Sequence, residues 1–354
     1  MSSVGSGTLP MRLRIGIDAM GSDGGSEQVV VGVRLASQVV GGAVERFVLA
    51  GDEAVLKPLL RRNGLEGLPQ IEILHAPEFI AMDEDPLSVL RHKREASMFK
   101  AIEGVRDGTL DAVLSCGNTG ALMAGSTLKL RTVEGVERPA LASIIPTRTH
   151  RFILIDVGAN PTSEARFLVH NAVLGSHFAR AVLQTEHPRV GLLTVGTEEG
   201  KGNEAVHAAH AVLKQCEGLN YVGLIEGFDL FGGKADVVVC DGFVGNIVLK
   251  LCESLFWELK AFIKEKILEN PVRKLGALLC NGVFRDMKRQ LAPEKYSGAP
   301  LLGLNGWVFK THGSGKAEAV AGGIGMMVKC VRSYKPQEVK ADVARANALL
   351  GKAA

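Results

Sequence analysis

Short β-branched or apolar runs alternate with segments of helical period along most of this chain, and no other feature narrows its fold so far. A strand that is apolar on both faces must be covered on both, and crossover helices supply that cover. The pattern therefore predicts a three-layer α/β fold around a mostly parallel sheet. Strands are expected at residues 13–18, 47–51, 71–75, 112–115, 152–156, 190–195, 221–224, 237–240 and 307–311, with helices at 27–40, 87–106, 119–130, 164–184, 204–216 and 317–332. The chain shows no internal repeat and no low-complexity linker. Residues 1–11 read as a flexible leader, without the basic and apolar regions of a signal peptide, and 12–354 as one domain.

One stretch breaks the rhythm. From Val244 to Gln290 the chain reads as consecutive helices, interrupted at Asn270-Pro271 and Asn281-Gly282, with no strand between them. This excursion, at about 244–291, carries Leu255, Phe256, Leu259, Phe262, Ile263, Ile267, Leu275, Leu278, Leu279, Val283 and Phe284, more apolar surface than a lone hairpin hides. Two coverings are open. One is a second copy of the chain. The other is a membrane surface met by a tip around Leu275 to Phe284, flanked by Arg273, Lys274, Arg285, Lys288 and Arg289.

At 354 residues, 46% hydrophobic and 22% charged, the chain is long enough for a large core and too ordinary for collagenous, disordered or disulfide-scaffold classes. A net charge of +3 is far from that of a nucleic-acid wrapper, so no nucleic-acid partner is expected. The six cysteines are scattered without a CxxC, which predicts reduced thiols in the cytoplasm and no structural zinc. The apolar stretch from Ala112 to Leu128 contains Gly117-Asn118-Thr119-Gly120, which breaks any bilayer-spanning helix.

In open α/β sheets ligands bind beyond the carboxyl ends of strands. Five loops there are rich in small and polar residues: 18–25, 116–120, 156–160, 196–204 and 241–246. Their glycines let backbone amides approach an anion at the next helix. Together with Lys201 they predict one sheet edge crowded with donors, suited to phosphoryl or acyl chemistry. The usual motifs are missing. Neither Lys201 nor Lys316 has a P-loop around it, no G-x-G-x-x-G opens the first helix, and no G-x-S-x-G elbow occurs. Glu204, His207 and His210 share one helical face, either a metal site or, more simply, solvated surface. His312, at a glycine turn after the last strand, is a ligand contact or a cap.

The segments Ile17-Asp18-Ala19-Met20-Gly21, Gly117-Asn118-Thr119-Gly120-Ala121, Arg138-Pro139-Ala140-Leu141-Ala142, Asp156-Val157-Gly158-Ala159-Asn160, Glu198-Glu199-Gly200-Lys201-Gly202-Asn203-Glu204, Asp241-Gly242-Phe243-Val244-Gly245-Asn246 and Gly298-Ala299-Pro300-Leu301-Leu302-Gly303 run in an order and spacing that resembles the bacterial phosphate acyltransferases of phospholipid synthesis, over residues 13 to 332. The resemblance implies an isopropylmalate-dehydrogenase or phosphotransacetylase type of fold, a homodimer, and a helical protrusion for peripheral contact with an anionic membrane surface. It also implies a reaction: a long-chain acyl group passes reversibly from acyl carrier protein to inorganic phosphate, and the acyl phosphate serves a glycerol-3-phosphate acyltransferase downstream. No cofactor or metal is implied.

The resemblance places Lys201 and Asn246 at the family's proposed catalytic lysine and asparagine. Phosphate attacking a thioester builds charge on the carbonyl oxygen, which a cation and an amide donor stabilise, and no covalent acyl-enzyme is needed. Substrate-binding candidates in the loops are Asp18, Gly21, Gly117, Asn118, Thr119, Gly120, Asp156, Asn160, Glu199, Asn203, Asp241, Gly245 and His312. For the acidic carrier protein, Arg91, Lys93 and Arg94 form the best basic cluster, with a solvated face as the plain alternative. The chain departs from the family pattern at Ser22, Ser26, Leu224 and Phe228, and at Cys116, a conceivable acyl acceptor that has no neighbouring base in the sequence. Other readings keep the fold but use a small acyl-CoA, or make the chain a non-catalytic carrier-binding dimer. A dehydrogenase reading lacks its nicotinamide fingerprint.

Overall fold

Eleven strands pair into one sheet in the order β3-β2-β1-β4-β11-β10-β5-β6-β9-β7-β8. They are β1 (Leu13–Asp18), β2 (Val44–Gly51), β3 (Ile71–His75), β4 (Ala112–Ser115), β5 (Ala140–Pro146), β6 (Arg151–Ile155), β7 (Val190–Thr194), β8 (Tyr221–Glu226), β9 (Val237–Val239), β10 (Ala299–Leu302) and β11 (Trp307–Lys310). The structure, a computed structural model, describes residues 12–198, 201–292, 296–312 and 316–353. The leader expected at 1–11 lies outside the described residues.

Alternation along the strands divides the core into two layers. In β6, Ile153 and Ile155 face one cluster while Phe152 and Leu154 face the other; in β4, Ala112 and Leu114 oppose Val113 in the same way. The first layer is covered by α1 (Gly25–Val40), α2 (Glu53–Arg62), α6 (Ala165–Leu183), α7 (Glu204–Leu213), α11 (Ala317–Ser333) and α12 (Pro336–Ala353). The second is covered by α3 (Pro86–His92), α4 (Ser97–Arg106), α5 (Thr119–Leu130) and the first turns of α8 (Gly242–Leu268). The three layers and the mostly parallel sheet are as expected.

The two blocks β3-β2-β1-β4-β11 and β6-β9-β7-β8 are each parallel internally. Between them β11–β10, β10–β5 and β5–β6 all pair antiparallel, so three reversals leave the blocks running in opposite directions. This corrects the expectation of a single shared sheet edge. Neither connecting strand reads as one in the sequence, because β5 ends in Pro146 and the four-residue β10 carries Pro300. Helices α2 and α12 were also missed. Proline lies inside α2, at Pro58, and α12 turns a weak stripe of Val339, Val343 and Ala346 to the core.

The expected helix at 87–106 is two helices. Residue 96 is extended and bridges Glu78, and Ser97 N–H donates to the Glu78 carbonyl at 2.9 Å. These tertiary bonds outweigh local helical preference. The helical excursion comprises α8, α9 (Pro271–Leu279) and α10 (Asn281–Leu291).

Candidate active site

The first turn is built around a buried carboxylate. Asp18 accepts Ser97 Oγ at 2.6 Å and Ser115 Oγ at 2.7 Å, which ties the ends of β1 and β4 to α4. Gly21 and Gly117 close over it; a Cβ on Gly21 would lie 3.1 Å from Asp18 Oδ2 and 3.2 Å from Gly117 Cα. Asn118 is a clamp. Its Oδ1 accepts the Ala121 N–H at 2.9 Å and caps α5, while Nδ2 donates to the carbonyls of Met82 and Glu84, both at 3.0 Å. Gly120 meets Pro86, 2.5 Å from where its Cβ would stand. These residues frame the site, and Thr119 is the one that reaches open space.

The second block repeats the device with backbone donors. Asp156 accepts N–H groups from Leu141, Gly158, Ala159 and Asn160 at 2.8–3.1 Å, and Asn160 Nδ2 at 2.9 Å. Burial pushes its carboxyl up against the pull of those donors. Asn160 Nδ2 also reaches the Pro139 carbonyl at 2.9 Å. Helix α8 then starts directly on this turn. Asp241 caps it by accepting the Val244 N–H at 2.8 Å. A Cβ on Gly245 would sit 1.8 Å from the Asp156 carbonyl oxygen, and one on Gly242 2.7 Å from that of Asn160, so only glycine permits the approach. The next residue, Asn246, lies over Gly158.

Between the blocks lies a cleft of about 690 Å³. Its polar lining includes Asp23, Thr119, Gly158, Asn246, Lys250, Lys310, Thr311 and His312. Four of the five predicted loops or their helix starts thus contribute, although they follow strands of opposite direction. Helix α8, packed on β5 and β6, brings them together. The rest of the cleft is apolar: Leu249, Leu255, Phe256 and Leu259 of α8 face Ile144 and Ile145 of β5.

Lys310, at the end of β11, was missed in the sequence. Only 7% exposed, it donates from Nζ to the carbonyls of Cys116, at 3.3 Å, and Thr311. Burial pulls its ammonium down to about 8, partly offset by Cys116, Asp18 and Asp23. The signal available was a lysine ending an apolar strand immediately before Thr311-His312. Cys116 is buried, its thiol is pushed up by burial, and it does not line the cleft, which removes it as an acyl acceptor.

Several other candidates lie elsewhere. Lys201 is exposed, its side chain packed near Gly196 and away from the cleft lining, and Asn203 caps α7 by accepting the Val206 N–H at 2.9 Å. Glu199 lies outside the described residues. His210 Nδ1 pairs with the Tyr221 hydroxyl at 2.6 Å, and among the described residues no three His, Cys, Asp or Glu side chains form a metal group. In the basic cluster Arg91 and Arg94 are exposed, but Lys93 is held by Glu84 at 2.8 Å and by the Phe79 carbonyl at 2.9 Å. Phe228 is 96% exposed, and neither it nor Leu224 lines the cleft.

Beyond the cleft, α9 and α10 bury no residue, and Val272, Leu275, Leu278, Leu279 and Val283 are exposed. No helix among the described residues is long and apolar enough to cross a membrane.

Residues 13–337 match the family described as "Fatty acid synthesis protein". The chain is 42% identical to a phosphate acyltransferase of Heliobacterium modesticaldum over 87% of this chain and 91% of that protein. It is 38% identical to one of Desulfitobacterium hafniense over 94% and 98%. In fold it is similar to a phosphotransacetylase from Streptococcus pyogenes (TM-score 0.60, 17% identity, 91% of this chain and 93% of that one) and to the EutD phosphotransacetylase from Staphylococcus aureus (0.58, 17%, 90% and 94%). Identity at this level over nearly the full length of both partners leaves no room for a shared fold alone: the chain belongs to the phosphate acyltransferase family of fatty acid and phospholipid synthesis.

Proposed function

We propose that this chain transfers a long-chain acyl group from an acyl carrier protein thioester to inorganic phosphate, releasing the free carrier and an acyl phosphate. One observation carries this reading. A single cleft joins a polar end, with Asn246, Thr119 and His312, to an apolar length along α8 and β5. Phosphate and the thioester carbonyl fit the first part and the acyl chain the second. An acetyl group would leave the apolar length empty, which weighs against a small acyl-CoA as the donor.

In the reaction, a phosphate oxygen attacks the thioester carbonyl carbon, the carbonyl oxygen takes up negative charge, and collapse expels the carrier's thiolate. Asn246 donates to the developing oxyanion. The family resemblance assigns Lys201 to the same charge, but its exposed side chain lies outside the cleft lining, so Asn246 carries the role here. Proximity of the two bound substrates supplies much of the remaining rate.

Arg91 and Arg94 present positive charge for the acidic carrier protein. The exposed apolar faces of α8 to α10 serve a homodimer and, with Arg285, Lys288 and Arg289, peripheral contact with an anionic membrane, where a glycerol-3-phosphate acyltransferase would take up the product. The test is phosphate-dependent release of free carrier from palmitoyl carrier protein, with acyl phosphate trapped by hydroxylamine. Release that needs phosphate, and that falls about a hundredfold in Asn246→Ala, supports the reading. Carrier binding without turnover would replace it with a non-catalytic binding role.

A further inference from the structure

Resting on the reading above, we propose that Lys310 and Lys250 form the phosphate site of the cleft, Lys310 as its buried anchor and Lys250 as a second cation on α8.

Three features of Lys310 carry this. First, its charge is buried without a matching one. The two carbonyls it meets satisfy hydrogens but bring no negative charge, and the carboxylates that attract it, Asp18 and Asp23, do so through space without a hydrogen bond to Nζ. Asp18 has its oxygens occupied by Ser97 and Ser115, and among the described residues Asp23, on the cleft lining, is the one other carboxylate that attracts Lys310. A buried cation in that position costs stability until an anion joins it. Second, an ammonium has three N–H donors, and two are accounted for, which leaves one for a ligand.

Third, Lys310 shares the cleft with another lysine. Lys250 lines the same space and its charge opposes that of Lys310. On the cleft lining Arg148, Lys250 and Lys310 outnumber Asp23 and Glu253, an excess of positive charge suited to a shared dianion. Inorganic phosphate is compact and carries between one and two negative charges at neutral pH, and lysine meets it as a point charge. Thr119 and Asn246, on the same lining, add neutral donors. Phosphate held there stands beside Asn246, where the thioester carbonyl is to be attacked. If Lys310 were only a staple between the ends of β4 and β11, its loss would lower stability and leave phosphate affinity alone.

Calorimetric titration of inorganic phosphate into the full chain, without an acyl donor, separates the two roles. Lys310→Met is expected to weaken phosphate binding about tenfold or more, and in turnover to raise KM for phosphate by a similar factor with KM for the acyl donor nearly constant. A folded Lys310→Met protein with wild-type phosphate affinity overturns the proposal. Should that variant not fold, exposed Lys250→Met carries the test, with a loss of about fivefold expected and unchanged affinity overturning the paired site. Wild-type chain that binds phosphate but turns over no thioester would sink the proposed function and leave this site standing; wild-type chain that binds no phosphate would sink the site.

Discussion

The two ends of α8 obey opposite rules. At its start, backbone meets backbone. Gly242 and Gly245 are the buried residues of the helix, and they let its first turn sit on the Asp156–Asn160 loop so that Asn246 faces the cleft. After 27 residues, some 40 Å at ~1.5 Å each, the same helix leads into α9 and α10, where nothing is buried and Leu279 is 81% exposed. The start is specified by sterics inside this chain. The far end is specified by whatever covers it. One helix therefore links a site that tolerates almost no change to a surface whose substitutions this chain alone would hardly register.

The strongest way to break that contrast is at the start of α8. Gly245→Ala would drive a methyl into the Asp156 carbonyl, and a loss of about 3 kcal/mol or more is expected in denaturant unfolding. A loss below about 1 kcal/mol would show that the turn yields easily. Asn246→Ala, one residue on, should leave the melting temperature in place and lower turnover about a hundredfold, worth about 3 kcal/mol in the transition state.

Lys310 gives a pH signature at the other wall of the cleft. Its folded pKa is pulled to about 8 from 10.5, so the unfolded chain binds the extra proton between those values. Stability should therefore rise with pH across about 8 to 10.5 relative to Lys310→Met, by roughly 3 kcal/mol at most. Phosphate affinity should fall over the same rise, because the cation is lost. The charged and titratable groups facing it are Asp18, Asp23, the Cys116 thiol and Lys250, and parallel profiles in wild type and variant would show that Lys310 does not carry this pH dependence.

The smallest effect belongs to the exposed tip. The double change Leu278→Ser and Leu279→Ser should shift unfolding free energy by no more than about 0.5 kcal/mol, since neither side chain is buried. Sedimentation and co-flotation with anionic vesicles should nonetheless report weaker self-association or membrane binding. Unchanged behaviour in both would leave the tip's apolar face without either partner.

Much of the fold was legible because it depends on local pattern. Apolar runs such as 112–114 and 237–239 announce buried strands, and the prolines, glycines and long apolar helices announce the excursion at 244–291. The loops were legible too, but not the work their residues do. Asp18, Asn118, Asp156, Asn160, Asn203 and Asp241 all sit where sequence patterns point, yet the structure uses them to hold turns and cap helices. An Asn or Asp after a strand reads the same in sequence whether its oxygen meets a ligand or the chain's own amides.

What the sequence determined by itself was the alternation of elements, and hence a layered α/β core, together with the order of motifs that marks the family. Tertiary structure alone decided the reversal through β10 and β5, the exposure of Lys201, and the meeting of Thr119, Asn246, Lys250 and Lys310 in one cleft. The physical reason is range. Periodicity and turn chemistry act over a few residues, whereas the desolvation of Lys310 and the fit of Gly245 depend on atoms brought close from distant parts of the chain.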